Sequence, residues 1–189
     1  VSNQTENTRS VESVFRVQGR QPELWDALTG EIREATAFTQ LNDRTIVPLT
    51  LDPYGSVMVV FNKPIDVTYE GVDNSNYPNY TTEKELDGSW EVYFDPELGG
   101  PGSVRFNELI DWTTSKDEGI KYYSGSAVYN KNFQFSPQEN TSYSIQLENV
   151  LDVGIAKIKI NGIDKGVVWT KPFRVDVTNE LIEGENNLE

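Results

Sequence analysis

Five side chains in the second half of the chain have the chemistry needed to bind a sugar: Trp112, Tyr122, Tyr123, Trp169 and Lys171. A flat aromatic ring packs against the C–H face of a pyranose, and polar or charged groups hydrogen bond to its hydroxyls. Gly166 before Trp169 and Pro172 after it predict a loop, where binding residues are common. We therefore predict these five as carbohydrate-binding residues. The competing interpretation is that aromatic residues of strands pack into a core.

Two pairs of acidic residues, Glu108 with Asp111 and Asp117 with Glu118, have the residue types of a glycosidase acid and base. Such a mechanism needs two carboxyl groups about 5 to 9 Å apart. Because the chain has 30 acidic residues, neighbours of this kind also arise by chance. We therefore expect a solvated acidic surface here and predict no catalytic residue in the chain.

Two oxygen-rich segments, residues 73–76 and 111–118, have the carboxylate and carbonyl groups that calcium prefers. Neither segment has the ligand spacing of an EF-hand loop. The sequence therefore predicts no required cofactor, and it leaves a stabilising calcium ion open.

The composition excludes several other kinds of chemistry. The chain has no histidine and no cysteine, which removes Ser-His-Asp and Cys-His nucleophile systems and makes a zinc site untenable. Its formal net charge of −14 repels phosphate, so we expect neither nucleic acid nor an anionic membrane as a partner. No apolar run reaches the length of a membrane span.

The first part of the chain has the pattern of short antiparallel strands. Residues 13–17 and 45–51 alternate between apolar and polar side chains, and residues 56–61 form a continuous apolar run. Pro48 within a strand predicts an edge position or a bulge. We predict a partial β-sandwich accessory domain over residues 1–64, followed by a polar connector over residues 65–82.

The remaining residues, 83–189, also have strand patterns and no convincing helical periodicity. Residues 88–94 alternate so that Trp90, Val92 and Phe94 share one face and are expected to pack in a core. Asn161-Gly162 predicts a hairpin turn. Gly184 to Asn187 have turn composition, with a strand beginning at Leu188. The predicted fold is all-β: a small antiparallel β-sandwich followed by a galactose-binding-like jelly-roll β-sandwich whose last strand is truncated.

Taken in order, these segments resemble the C-terminal region of bacterial α-L-rhamnosidases of glycoside hydrolase family 106. The segments that carry the resemblance are residues 1–5, 15–26, 29–33, 44–61, 90–94, 99–101, 109–112 and 122–133, followed by residues 155–162, 166–173 and 176–189. The later ones have the order and spacing of the sugar-binding jelly rolls attached to large glycoside hydrolases. The resemblance covers almost the whole chain.

The resemblance implies a large multi-domain enzyme, periplasmic or extracellular, that removes rhamnose from plant polysaccharides. Its acid and base would lie on a (β/α)8 barrel of the same parent chain, which would then be a partner of this region. We therefore interpret the chain as a non-catalytic accessory region that binds carbohydrate or acts as a scaffold. Two alternatives remain open: an autonomous carbohydrate-binding module, and a structural or adhesin-type interaction domain that binds no sugar.

Overall fold

The computed structural model describes residues 1–148, 150 and 154–189. They divide into two compact units, Val1–Thr81 and Thr82–Glu189. Among these residues strands predominate, joined by short helical turns. None of the helices that the described residues form is long and apolar enough to cross a membrane. The all-β fold class predicted from the sequence is confirmed.

The first unit contains two three-stranded antiparallel sheets, with strand orders β1-β5-β4 and β3-β2-β6. Their strands are β1 (Arg9–Phe15), β2 (Arg20–Trp25), β3 (Ile32–Glu34), β4 (Thr39–Leu41), β5 (Arg44–Leu51) and β6 (Met58–Pro64). The predicted alternation of β5 buries Val47 and Leu49, which pack with Leu24 and Phe38 in one core. These two sheets therefore form the predicted small sandwich.

Pro48 lies in the part of β5 that pairs with β1 and extends past the residues paired with β4. Its carbonyl oxygen accepts a hydrogen bond from the side chain of Asn76 at 2.9 Å. A proline has no N–H to donate to a neighbouring strand, so this unpaired side of β5 suits it.

The polar segment predicted as a connector folds onto the first unit, which corrects the predicted boundary at residue 64. Asn76 is buried and hydrogen bonds to both backbone groups of Ala37. Gly71 lies so close to the backbone of residues 36–38 that an added Cβ would be 2.3 Å from the Thr36 carbonyl oxygen. In a sequence, an asparagine whose side-chain amide makes buried hydrogen bonds looks the same as an asparagine in an exposed loop.

The second unit contains a six-stranded antiparallel sheet of order β12-β11-β14-β9-β7-β8 and a two-stranded sheet, β10-β13. Its strands are β7 (Trp90–Phe94), β8 (Gly102–Phe106), β9 (Ala127–Phe135), β10 (Ser144–Gln146), β11 (Ala156–Ile160), β12 (Ile163–Val168), β13 (Arg174–Asp176) and β14 (Gly184–Leu188). Trp90, Val92 and Phe94 are buried in one core with residues of β8, β11 and β14, as the alternation predicts. This architecture fits the predicted sugar-binding jelly roll.

The hairpin predicted at Asn161-Gly162 joins β11 to β12, and both turn residues have positive φ, 50° and 79°. The loop predicted at Trp169 is present, because β12 ends at Val168, although Gly166 itself lies within β12 beside a register shift in its pairing with β11. One other local prediction is wrong. Residues 184–187 belong to β14, which lies between β9 and β11, instead of forming a turn.

Candidate functional site

The connection between β8 and β9 carries three of the predicted sugar-binding aromatics. It contains a 3₁₀ helix, Trp112–Thr114, and a single α-helical turn, α1 (Glu118–Lys121). Asp111 caps the first by accepting hydrogen bonds from the Thr113 N–H and hydroxyl at 2.9 and 2.8 Å. Asp117 caps α1 by accepting from the Gly119 N–H at 2.8 Å. These caps fix the start of each helical turn, and with it the backbone positions of Trp112, Tyr122 and Tyr123.

Trp112 and Tyr123 turn inward and pack around Phe94. Both rings meet the Phe94 ring edge to face, with centroids 5.1 Å apart in each case, and lie 5.9 Å from each other. The Trp112 indole donates to the Tyr129 hydroxyl at 2.6 Å, and burial raises the pKa of that hydroxyl. With their faces occupied by core neighbours, Trp112 and Tyr123 are poorly placed to stack on a sugar.

The Tyr123 hydroxyl is also engaged. It accepts a hydrogen bond from the Asp95 N–H and donates to the Ser126 carbonyl, each at 3.1 Å. It therefore ties the β7–β8 loop to the start of β9, which is a structural role for this polar group.

Tyr122, Trp169 and Lys171 are the predicted residues that face solvent. Tyr122 is 71% exposed, and the ammonium nitrogen of Lys121 lies 5.5 Å from the centroid of its ring. Trp169 is 59% exposed and follows β12 directly, and Lys171 is exposed two residues later in the same connection to β13. The predicted set therefore separates into two buried or half-buried aromatics, one exposed tyrosine on the β8–β9 connection, and an exposed Trp–Lys pair on the β12–β13 connection.

Sequence reasoning missed a polar cleft on the outer face of the six-stranded sheet. Ser89, Glu91, Arg105, Asn130 and Asn132 line it, together with Lys131, and its volume is about 350 Å³. The available signal was the strand alternation itself, because Asn130 and Asn132 occupy the positions of β9 opposite to the core aromatics.

The oxygen-rich segments show little that would hold calcium. The side-chain oxygen and nitrogen of Asn76 are committed to Ala37 and Pro48, and one carboxylate oxygen each of Asp111 and Asp117 is used in a cap. Within the described ranges, no three acidic side chains come close enough together to form a metal-binding group. The calcium expectation remains a prediction from sequence.

Three carboxyl groups of the described residues have a clearly lowered pKa, whereas a general acid needs a raised one. Hydrogen bonds from Thr113 hold the pKa of Asp111 below its usual value, and bonds from Thr68 do the same for Asp66. The bond from Lys157 lowers the pKa of Asp164. A glycosidase general acid needs a raised pKa so that it is protonated near neutrality.

No protein-family model matches the chain. Among solved structures, a rhamnosidase from Novosphingobium sp. PP1Y contains a region that superposes with a TM-score of 0.88 at 35% sequence identity. The match covers 99% of this chain and 17% of the rhamnosidase. A protein of Formosa agariphila, provisionally named a beta-glucuronidase, is 43% identical over 107 residues, which are 55% of this chain and 9% of that protein.

Both relatives are named as glycoside hydrolases, and the chain spans less than a fifth of either. The resemblance to a region of a rhamnosidase, predicted from the sequence, is therefore confirmed over nearly the whole chain. Because the matched region is also 35% identical in sequence, the similarity is one of sequence as well as of fold.

Proposed function

We propose that this chain is a non-catalytic accessory region of a large, secreted glycoside hydrolase that acts on rhamnose-containing plant polysaccharide. The observation that carries the proposal is the match to a rhamnosidase, in which 99% of this chain corresponds to only 17% of the enzyme. A region of that size can brace or supplement a catalytic domain without containing the catalytic residues. The catalytic domain of the same parent chain is then its first partner, and the periplasm or the extracellular space is its location.

The chemistry of the chain supports the non-catalytic part of the proposal. Its candidate acids, Asp111 and Asp117, cap helical turns, and the lowered pKa of Asp111 favours the ionised form. The chain has no histidine or cysteine that could act as a base or nucleophile. The chain therefore presents groups for binding and packing rather than for bond cleavage.

Exposed aromatic residues favour a carbohydrate-binding role over a purely structural one. Trp169 and Lys171 lie two residues apart in the β12–β13 connection, and both are exposed. An exposed indole suits stacking on a pyranose, and an exposed ammonium group suits hydrogen bonding to its hydroxyls. If these residues bind no sugar, the scaffold role remains, with the same surface available to a neighbouring domain.

Two assays on the purified chain test this proposal. We expect no hydrolysis of aryl α-L-rhamnosides or aryl β-glucuronides, because no carboxyl group of the described residues has the raised pKa of a general acid. A hydrolytic activity that is lost in Asp111→Asn would contradict the non-catalytic assignment. In the second assay, tryptophan fluorescence is titrated with rhamnose and rhamnose-containing pectin fragments, with and without calcium. A saturable change that disappears in Trp169→Ala supports binding by this loop, and a response that persists in the variant excludes it.

A further inference from the structure

The outer face of the six-stranded sheet is a polar surface that the accessory role does not explain. On β7, β8 and β9, the positions opposite to the core carry Glu91, Tyr93, Ser103, Arg105, Val128, Asn130, Asn132 and Gln134, of which Val128 is the one aliphatic side chain. Cross-strand pairing brings Glu91 beside both Arg105 and Asn130, and Tyr93 beside Ser103 and Val128. Neighbours across strands lie about 5 Å apart, so these side chains form one continuous surface.

Two of the cleft groups are held in place by neighbouring side chains. The Arg105 guanidinium donates to the Ser89 hydroxyl at 2.8 Å and lies 3.9 Å from the Glu91 carboxylate. Asn132 accepts a hydrogen bond from the Asn187 amide at 2.7 Å, which leaves its own amide N–H groups available. Polar groups fixed in this way lose little conformational entropy when a ligand binds.

Asn130 lines the cleft opposite Glu91, and its side-chain amide makes no hydrogen bond within the described part of the chain. An amide presents one acceptor and two donor hydrogens, the pattern that pairs with vicinal hydroxyl groups. Glu91 adds acceptors on one side, and the remaining N–H groups of Arg105 add donors. The cleft therefore offers both kinds of partner that a sugar ring requires.

Tyr93 does not line the cleft, but it supplies an aromatic surface that adjoins it on the same face of the sheet. It is 44% exposed and lies two residues from Glu91 on the same face of β7. Positions i and i+2 of a strand are about 7 Å apart, roughly the width of a sugar ring. A pyranose lying on Tyr93 would then place its hydroxyl groups over Glu91 and Asn130.

The charges of the cleft select among ligands. Glu91 offsets Arg105, and the Lys131 ammonium group, which also lines the cleft, donates hydrogen bonds to the Asp87 and Ser89 carbonyl oxygens. The net charge of the chain is −14, so a carboxylate or phosphate gains no long-range attraction. The face also has few apolar side chains for a protein partner. We propose that this polar cleft, with Tyr93 as its stacking platform, is a binding site for a neutral pyranose. The proposal goes beyond the accessory role, which does not itself require the chain to bind sugar.

The test is an NMR titration of the ¹⁵N-labelled 189-residue chain with methyl α-L-rhamnoside, methyl β-D-galactoside and methyl β-D-glucuronide. We expect saturable shifts of the Asn130 and Asn132 side-chain amides and of the β7 and β9 backbone with a neutral glycoside. Tyr93→Ala and Asn130→Ala should each weaken this binding about tenfold, the loss of one stacking or hydrogen-bonding partner. Tyr54→Ala, which removes a 65% exposed tyrosine from the first unit, should bind as the wild type does.

Three results would overturn the proposal. The first is the absence of any shift with all three glycosides, and the second is a response to the glucuronide alone. The third is a set of shifts centred on Trp169 that Trp169→Ala abolishes and Tyr93→Ala does not. That third result would still support carbohydrate binding by the accessory region, so it separates this site from the function proposed above. If Tyr93→Ala loses its folded spectrum, Asn130→Ala decides the question, because its side chain makes no hydrogen bond within the described residues.

Discussion

The interiors of the two units differ in the kind of interaction that they contain. Of the buried polar residues among those described, Asn3, Gln21, Glu23, Gln40, Thr45 and Asn76 belong to the first unit, whereas Asn186 alone belongs to the second. The core of the second unit contains instead aromatic rings around Phe94, two of them edge to face with it and one tilted. The first unit therefore adds buried, satisfied hydrogen bonds to its apolar core, whereas the second depends mainly on shape and apolar contact. A polar segment can be as firmly part of a fold as an aromatic one.

The largest effect should come from removing the central ring of the second unit. Phe94 is fully buried and contacts Phe106, Trp112 and Tyr123. We expect Phe94→Ala to lower the free energy of unfolding of this unit by about 3–5 kcal/mol, through lost burial and the cavity left behind. Urea unfolding followed by tryptophan fluorescence measures the change. Tyr122→Ala, at an exposed position, should change stability by less than about 0.5 kcal/mol.

The corresponding change in the first unit removes an amide instead of a ring. Asn76→Ala deletes three hydrogen bonds of 2.8 to 2.9 Å and leaves the Ala37 N–H and the Ala37 and Pro48 carbonyls without this partner. We expect a loss of about 2–3 kcal/mol, because buried polar groups would be left unsatisfied. Faster hydrogen exchange of the Ala37 amide reports the local effect. Asn74→Ala, at an exposed amide two residues earlier, is the control. If the two variants behave alike, residues 65–81 act as a simple connector after all.

The smallest effect concerns a surface cap and depends on pH. Hydrogen bonds from the Thr113 N–H and then its hydroxyl hold the pKa of Asp111 below 3.8. The ionised cap therefore stabilises the fold fully above that value, and this contribution is lost as the pH falls through the lower pKa of the folded state. The Tm of the wild type should be higher than that of Asp111→Asn at pH 7, and this difference in Tm should shrink in strong acid. Glu108→Gln changes an exposed carboxyl of the same connection. An identical pH profile for this variant would show that capping is not the cause.

The sequence predicted features that depend on local pattern and missed those that depend on distant partners. The sequence predicts β5, β7 and the Asn161-Gly162 turn correctly. Alternation indicates a strand with one buried face, and Asn-Gly indicates a two-residue hairpin turn. The strand β14 was missed because its residues have turn composition. It is a strand because it pairs with β9, about 50 residues earlier, and its buried Asn186 accepts a hydrogen bond from the Asn161 side chain, 25 residues earlier.

The candidate site shows the same limit. The residue types indicate which aromatic side chains could bind a sugar, but they do not indicate which of them are exposed. Two aromatic residues adjacent in sequence can differ in exposure. Tyr122 is exposed, whereas Tyr123 packs against Phe94. Which ring of such a pair faces inward depends on the geometry of α1 and its cap, a single turn too short to be predicted from periodicity.

The position of β14 between β9 and β11 has a consequence for how the protein is made. Asn132 of β9 and its partner Asn187 of β14 are 55 residues apart in sequence. At synthesis rates of about 5–20 residues per second, the ribosome needs roughly 3–11 s to deliver the second after the first. During that interval one side of β9 is without its partner strand, so the nascent chain passes through a stage at which chaperone binding or mispairing competes with completion of the sheet.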